Sequence, residues 1–442
     1  MFHNLSYDSH FILQEIGNID AIKNVQIISR SLEKVISMSF NIVQCDYKIV
    51  LVDTLNFLPS SLEKLTANLK IKNAQKKNEN LFANTTTYFK ENYEHLESAR
   101  LEQLLQKGVF PYDYITCLEV MNETKLPPKE AFFNKLTQKH ITNEAYQHAD
   151  SVFNNFKCGN IRGYTKLYVD TDVHNLADLF ETFRNECITN YTLDPAHFIT
   201  APGLSWEACL RLTKTKLELI KDPEMTKFID EGLIGGLSYA RHPHLRANNP
   251  DIDEYDPTKP TTWILLLDCN NQYGWVMCQS LPTGGFTWDE NIEKYSEEYI
   301  QSLDSEGDTG YIFEVDLIYP RNLHATHDEF PLAPHHLSVT MDMLTPYQKR
   351  RAEEEEIKFS KKQTKLCATL MNKEKYKTHI KNLKQFIKLG LKVQKVHRVL
   401  KFTQSDWVKP YIDLNTNLRQ HASCKAEEVR RIFVIIHNII IS

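Results

Sequence analysis

The tightest constraint in this sequence is the run WILLLDCNNQYGW at residues 263–275. Five consecutive large apolar residues, Trp263, Ile264, Leu265, Leu266 and Leu267, have the pattern of a strand covered on both faces. Asp268 stands where that strand would end, followed by a polar turn and the aromatic Tyr273. A buried strand fixes the backbone while its end exposes the side chain, so a carboxylate there is held still enough to serve a cation. The plainer reading is that Asp and Asn at a strand end merely start a turn.

The chain is long enough for two domains or more, with 442 residues, 42 % hydrophobic and 25 % charged. Its nine cysteines are scattered from Cys45 to Cys424 with no CxxC pair, which argues against a zinc or redox motif and for a reducing compartment. No secretory signal opens the chain, and no apolar run reaches the roughly 18 residues a membrane span needs. The expectation is a soluble intracellular protein, nuclear or cytoplasmic, with no membrane partner.

A net charge of −5 argues against a surface that holds nucleic acid everywhere. The basic residues are unevenly placed, however. From 358 to 409 they include Lys361, Lys362, Lys365, Lys373, Lys377, Lys381, Lys384, Lys388, Lys392, Lys395, Arg398 and Lys401. Two readings stand side by side: a stripe that tracks a phosphate backbone, or an amphipathic helix whose Ile380, Leu383 and Ile387 face a core while its lysines are solvated.

Residues 46–58 read as a strand running into Pro59, and SSLEKL then starts a helix with Ser60 or Ser61 as its cap. Residues 72–80, KNAQKKNEN, read as a polar loop. Beyond LPPKEAFFNKL comes a helix, then YVDTD at 168–172. After it, Val173, Leu176, Leu179, Phe180 and Phe183 have helical spacing, which predicts a helix starting past Asp172. Pro202 and Gly203 break the pattern near a domain junction. The pairs His242 and His244, His324 and His327, and His335 and His336 read as loop histidines rather than metal ligands, since Pro320 and Pro331 bracket the middle pair. No internal repeat and no Walker loop is present.

Three islands, HNLSYD at 3–8, YVDTD at 168–172 and DCNNQYG at 268–274, occur in this order. Together they resemble the protein-primed branch of family-B DNA polymerases, found in phages, adenoviruses, linear plasmids and Polinton (Maverick) transposons, and most of all the transposon type. The resemblance implies an α/β (α+β) chain: a ribonuclease-H-like 3′–5′ exonuclease followed by a partial polymerase palm with a helical insertion. It implies two-metal chemistry with Mg²⁺ or Mn²⁺, and as partners a single-stranded primer end, template DNA, dNTPs and a terminal priming protein.

By that resemblance Asp268 binds catalytic metal and Tyr273 stacks under the incoming sugar, while Asp268, Cys269, Asn271, Gln272 and Tyr273 cradle the nucleotide. Gln272 replaces the Leu usual before the Tyr. In the exonuclease, Asp8 and Asp172 are metal ligands, Tyr168 orients the attacking water, and Asn4 and Tyr7 touch the primer end. Ser61 and Leu62, with Leu65, match a Ser/Thr-Leu-x-x-apolar pattern that contacts single-stranded DNA. Lys107, before Gly108 and Phe110, matches the place of a catalytic lysine. Gly235 and Gly236 match a DNA-binding Gly-Gly element that couples the two sites, with Ile234 in place of the usual Arg, a change that weakens a contact with a template phosphate. YVDTD also spells the third polymerase motif, but it lies ahead of Asp268 and so in the wrong order.

The resemblance places a DxE pair upstream of Asn4 and a fingers lysine, an NSxYG-like run and the third motif after Arg419. None of these is in the sequence. The expectation is an internal fragment: residues 1–200 exonuclease-like, 201–262 linker and start of the palm, 263–422 partial palm with a basic helical insertion, and 423–442 an atypical tail. Such a cut leaves apolar surface bare and predicts low solubility. Two rival functions stay open: a DNA-binding remnant without turnover, and a stand-alone 3′–5′ exonuclease.

Overall fold

The computed structural model describes residues 1–421 except 32–33, 46, 76–78, 94–97, 240–243 and 358–363. The expectations for His242, for Lys361 and Lys362 and for the 423–442 tail lie outside the described residues. The chain divides into two compact units, one of Met1–Thr213 together with residues 410–421, the other of Lys214–Lys409.

The first unit opens on helix α1 (Leu5–Ile16), then the antiparallel strands β1 (Ile22–Ser31), β2 (Lys34–Ile42) and β3 (Tyr47–Val52), in the sheet order β1-β2-β3. Met38 and Phe40 alternate inward on β2 and pack with Ile16, Ile12 and Leu13 of α1. Helices α2 (Leu62–Gln75), α3 (Ala83–Asn92), α4 (Ser98–Leu101), α5 (Asn143–Asn155), α6 (Ile161–Tyr191) and α7 (Ala201–Thr213) follow. Their core gathers around α6, whose Ile161, Tyr164 and Leu167 meet Phe89, Val152 and Phe153.

The second unit holds α8 (Pro223–Gly232), α9 (Gln272–Met277), β4 (Leu281–Trp288), α10 (Glu297–Ser302), β5 (Thr309–Ile318), β6 (His335–Leu337), α11 (Pro346–Glu354), β7 (Lys365–Cys367), β8 (Lys373–His379), α12 (Ile380–Lys388) and β9 (Lys392–Ser405). An antiparallel sheet of order β4-β9-β5-β8 is its centre. Phe313, Val315 and Leu317 alternate inward along β5 and pack on Ile380, Leu383 and Phe386 of α12. The last helix, α13 (Lys409–Gln420), falls with the first unit, where the Tyr191 hydroxyl donates to Asn415 Oδ1 at 2.6 Å.

Several expectations are corrected. Residues 72–75 are helical rather than loop, because Lys72 is buried on α2 and ion-paired with Glu186 on α6. The helix expected past Asp172 begins at Ile161, where Asn160 Oδ1 accepts the Gly163 N–H at 2.9 Å and caps it. Pro202 and Gly203 do not break the chain. They lie in the first turn of α7, where proline's missing N–H costs nothing.

The basic tract is neither a helix throughout nor an open stripe. It runs as β8, α12 and β9, and several of its cations are paired with acids from other parts of the second unit. Lys377 meets Glu231 and Glu314, Lys381 meets Glu306, Lys392 meets Glu297, Arg398 meets Glu314 and Glu224, and Lys401 meets Asp289. Ile380 and Leu383 do face the core, as the amphipathic reading expects.

The largest correction concerns residues 263–267. They form no strand, and Trp263, Ile264, Leu265, Leu266 and Leu267 are 59, 58, 79, 96 and 87 % exposed. A strand exists only against a neighbour that takes its N–H and C=O groups, and among the described residues none lies beside this run.

Candidate functional site

In the first unit two of the candidate residues, Tyr168 and Asp172, are brought together on one face of α6, while Asn4, Tyr7 and Asp8 lie at α1 and Ser61 and Leu62 at α2. Tyr164, Tyr168 and Asp172 recur every four residues, and the segment 107–112 lies along them. The Tyr164 hydroxyl donates to the Val109 carbonyl at 2.6 Å and fixes the segment's path. Phe110 lies on Tyr168 with ring centroids 4.9 Å apart and runs parallel to Tyr164 at 6.3 Å. Gly108 lies beside the Tyr168 ring, where a Cβ would make only an ordinary van der Waals contact at 3.5 Å.

This packing converges on three polar groups. Lys107 Nζ stands 2.9 Å from Asp172 Oδ2 and 5.8 Å from the centre of the Tyr168 ring. The Tyr168 hydroxyl is 2.8 Å from that of Tyr112, which is 61 % exposed at the mouth of the site. Burial, then the Asp172 carboxylate, then Tyr112 push the Tyr168 phenol well above its ordinary value, so it stays protonated. Asp172 Oδ1 is buried with no hydrogen-bond partner. A buried, partnerless carboxylate oxygen is a costly group that a cation would satisfy.

The amino-terminal island is held by a residue that the sequence reading passed over. The carboxylate of Asp53, just past β3, accepts the N–H groups of Asn4 at 2.8 Å, Leu5 at 3.0 Å and Leu55 at 2.9 Å. It therefore caps α1 from outside. Asn4 adopts a left-handed conformation (φ 82°) and makes no side-chain cap bond. Tyr7 and Phe11, 67 and 62 % exposed, lie one turn apart on α1 with ring centroids at 6.2 Å, edge to face. Burial and then the neighbouring Asp53 raise the Asp8 carboxyl above its ordinary range.

Ser61 and Leu62 stand at the start of α2. Ser61 Oγ accepts the Lys64 N–H at 3.4 Å at the start of α2, and Leu62 is buried. The same Ser/Thr-Leu-x-x-apolar pattern occurs seven residues earlier at Thr54, Leu55 and Leu58. There the Thr54 hydroxyl donates to the Phe2 carbonyl at 2.9 Å and lies 2.9 Å from His3 Nδ1, beside Asn4.

In the second unit, Asp268 and Cys269 lie in exposed irregular chain, and Asn271, at φ 52°, starts α9, which carries Gln272 and the 58 % exposed Tyr273 in its first turn. The carboxylate is thus not set at a buried strand end. Gly235 and Gly236 lie in extended chain after α8, with nothing within 4 Å of where a Cβ would stand. His324 and His327 both approach Tyr319, the hydroxyl of which is 2.9 Å from His327 Nδ1. Among the described residues no three His, Cys, Asp or Glu side chains gather closely enough to hold a metal ion. Nor is any helix among them long and apolar enough to cross a membrane.

Geometry puts Lys107, expected from the resemblance, against Asp172 and adds Asp53, Phe11 and Tyr112 to the expected site. Asp53 and Tyr112 show through contacts that bridge 49 and 56 residues, and Phe11 through its ring beside Tyr7 on α1.

The chain is similar in structure to the phi29 DNA polymerase complexed with primer-template DNA and incoming nucleotides, at 13 % identity and a TM-score of 0.46, covering 98 % of this chain and 57 % of that one. It is similar, again at 13 % identity, to that polymerase in an orthorhombic crystal form (TM-score 0.45) and complexed with single-stranded DNA (TM-score 0.44). The chain therefore spans 57 % of the length of the solved polymerases it matches. No curated protein matches it. Its sequence matches the family described as DNA polymerase type B, organellar and viral, over residues 1–434, and the chain belongs to that family.

Proposed function

We propose that this chain is part of a template-directed DNA polymerase of the protein-primed type, and that its first unit is the 3′–5′ proofreading nuclease. The observation that carries the reading is the meeting of Lys107, Tyr168 and Asp172 around a buried carboxylate oxygen without a partner. We read the first unit as ribonuclease-H-like and residues 263–422 as the start of the palm. Single-stranded primer ends, template and dNTPs are its partners, with a terminal protein as primer and a transposon of the Polinton type as its source.

The chemistry assigned to the first unit is hydrolysis of a terminal phosphodiester. Asp172, with Asp8, would hold Mg²⁺ or Mn²⁺, which supplies positive charge to polarise the scissile phosphate. Asp172 Oδ1 fits that role because it is buried and makes no hydrogen bond of its own, while the Tyr168 hydroxyl lies close enough to the same carboxylate to feel its charge. Tyr168 keeps its proton and so donates to the attacking water, while Tyr112 fixes the direction of its hydroxyl. Lys107 offers a cation where charge develops on the phosphate oxygens. Tyr7 and Phe11 offer rings on which the last bases stack, at about 1–3 kcal/mol per base. In the second unit Asp268 would serve the incoming nucleotide with Cys269, Asn271, Gln272 and Tyr273.

A second reading, DNA binding without turnover, is favoured by one observation: Asp268 sits in exposed chain rather than on a supported strand. A 5′-labelled primer on a template, incubated with Mg²⁺ or Mn²⁺ with and without dNTPs, separates the two. Lengthening with dNTPs supports the polymerase and shortening without them supports the nuclease. Salt-sensitive binding with neither leaves the binding reading alone.

A further inference from the structure

A row of charges crosses the face of the four-stranded sheet opposite its core. Glu314 on β5 is paired in register with Lys377 on β8 and Arg398 on β9. Although Glu314 is only 5 % exposed, it accepts Arg398 Nε at 2.8 Å and Nη2 at 3.3 Å, and it lies 3.1 Å from Lys377 Nζ. Burial works to raise its carboxyl, but the two cations together hold it below its ordinary value. Two cations for one carboxylate leave a positive charge unanswered.

Helix α8 answers it. Glu224, Phe228 and Glu231 stand at i, i+4 and i+7, on one face of that helix. Glu224 Oε1 lies 2.7 Å from Arg398 Nη1, and Glu231 Oε2 lies 2.9 Å from Lys377 Nζ. Between them Phe228, 1 % exposed, meets Trp288 edge to face at 5.0 Å. The Arg398 guanidinium lies 5.0 Å from the Phe228 ring centre and 5.2 Å from that of Trp288. At the helix end Gly232 passes so close to β8 that a Cβ would come within 3.2 Å of Lys377 Cβ. Ile234 then packs against the sheet's core, immediately before Gly235 and Gly236.

We propose that Arg398 and Lys377 are positioning residues for the segment 233–239: they clasp α8 through Glu224 and Glu231 and so fix where Gly235 and Gly236 are presented. The clasp stands on the contacts themselves. Its service to DNA rests on the reading of Gly235 and Gly236 as a template contact. The α8 acids are the exposed half of the clasp, Glu224 at 69 % and Glu231 at 47 %, whereas Glu314 is covered at 6 %. Salt therefore loosens the helix from the sheet before it disturbs the sheet.

Amide hydrogen exchange on the full chain, read in peptides spanning 223–239 at about 0.05 M and about 1 M NaCl, tests this. The wild type exchanges there about tenfold faster at high salt, while peptides of β5 and β9 are unmoved. Glu224→Gln with Glu231→Gln gives the fast exchange already at low salt and removes the salt response. Arg398→Lys, which keeps the charge but loses the bidentate contact, falls between. Unchanged exchange in the double variant, or a wild type insensitive to salt, overturns the clasp. If exchange quickens while affinity for single-stranded and primed DNA is unchanged, the clasp stands and the template-contact reading of Gly235 and Gly236 falls.

Discussion

Lys107 Nζ lies 2.9 Å from Asp172 Oδ2, while the other oxygen of that carboxylate, Oδ1, is buried without a partner. One half of the group is thus balanced by the protein and the other half is reserved. An ordinary structural ion pair would satisfy both oxygens, because a buried acceptor left unmade costs about 1–3 kcal/mol.

Tyr112 is predicted to matter through its hydroxyl alone. Tyr112→Phe keeps the ring beside Phe110 and Tyr168 but removes the 2.8 Å hydroxyl contact. The loss of one hydrogen bond of about 1 kcal/mol slows 3′-end shortening by about fivefold, with DNA affinity and thermal stability unchanged. Stopped-time shortening assays and a thermal melt check it; an equal loss of affinity would point to a stacking role instead.

Asp53 is predicted to hold α1 in place. With three backbone donors on one buried carboxylate, Asp53→Ala costs about 2 kcal/mol and weakens single-strand binding through the displaced Asn4 and Tyr7. Asp53→Asn, which retains one acceptor, costs less. Denaturant midpoints of the three proteins decide it, and an unmoved midpoint in Asp53→Ala would contradict the capping role.

The second unit carries a pH dependence at His379. Its Nδ1 accepts the Lys381 N–H at 3.3 Å at the start of α12, which requires a neutral ring. Burial, and then Lys381, push its pKa from 6.5 down to about 4. The unfolded chain takes up a proton that the folded chain refuses. Stability from this group is therefore full above pH 6.5 and is lost as pH falls toward 4, by at most about 3 kcal/mol. His379→Asn keeps a cap acceptor without the titration. The difference between the two proteins in denaturation midpoint should shrink or reverse on going from about pH 7 to about pH 4.5.

The exposed run at 263–267 predicts self-association. An uncharged, extended stretch with Leu266 96 % exposed has the composition of an aggregation segment. Replacing Leu265, Leu266 and Leu267 by Ser lowers light scattering at a given concentration without lowering the melting temperature. A lowered melting temperature would mean that the run packs in solution.

What was legible in the sequence is what local spacing controls. Leu179, Phe180 and Phe183 are buried on α6 as their helical spacing requires, though Val173 from the same run is 56 % exposed, and Ser61 caps α2. Of the strand expected over residues 46–58, only Tyr47–Val52 forms, as β3; Asp53 then caps a 3-10 turn at Thr54–Asn56. What misled was long-range. Lys72 looks like loop composition, but its partner Glu186 lies on another helix. The lysines from 373 to 401 look like a free stripe, but their acids come from as far away as Glu224 and Glu231. The apolar run at 263–267 has strand composition, and composition does not supply a neighbouring strand. Asp53 could not be singled out, because its role exists only once β3 returns to residues 4 and 5.

The central claim is that Lys107, Tyr168 and Asp172 act on the 3′ end of DNA. The most direct test is the rate at which a 5′-labelled single strand is shortened in Mn²⁺ by the wild type, Asp172→Asn and Lys107→Met, with binding of the same strand measured in parallel. Metal-dependent shortening that falls by about a hundredfold or more in both variants, with binding retained, is the predicted result. Shortening that is equally fast in Asp172→Asn, or absent from the wild type in Mn²⁺, would contradict the account.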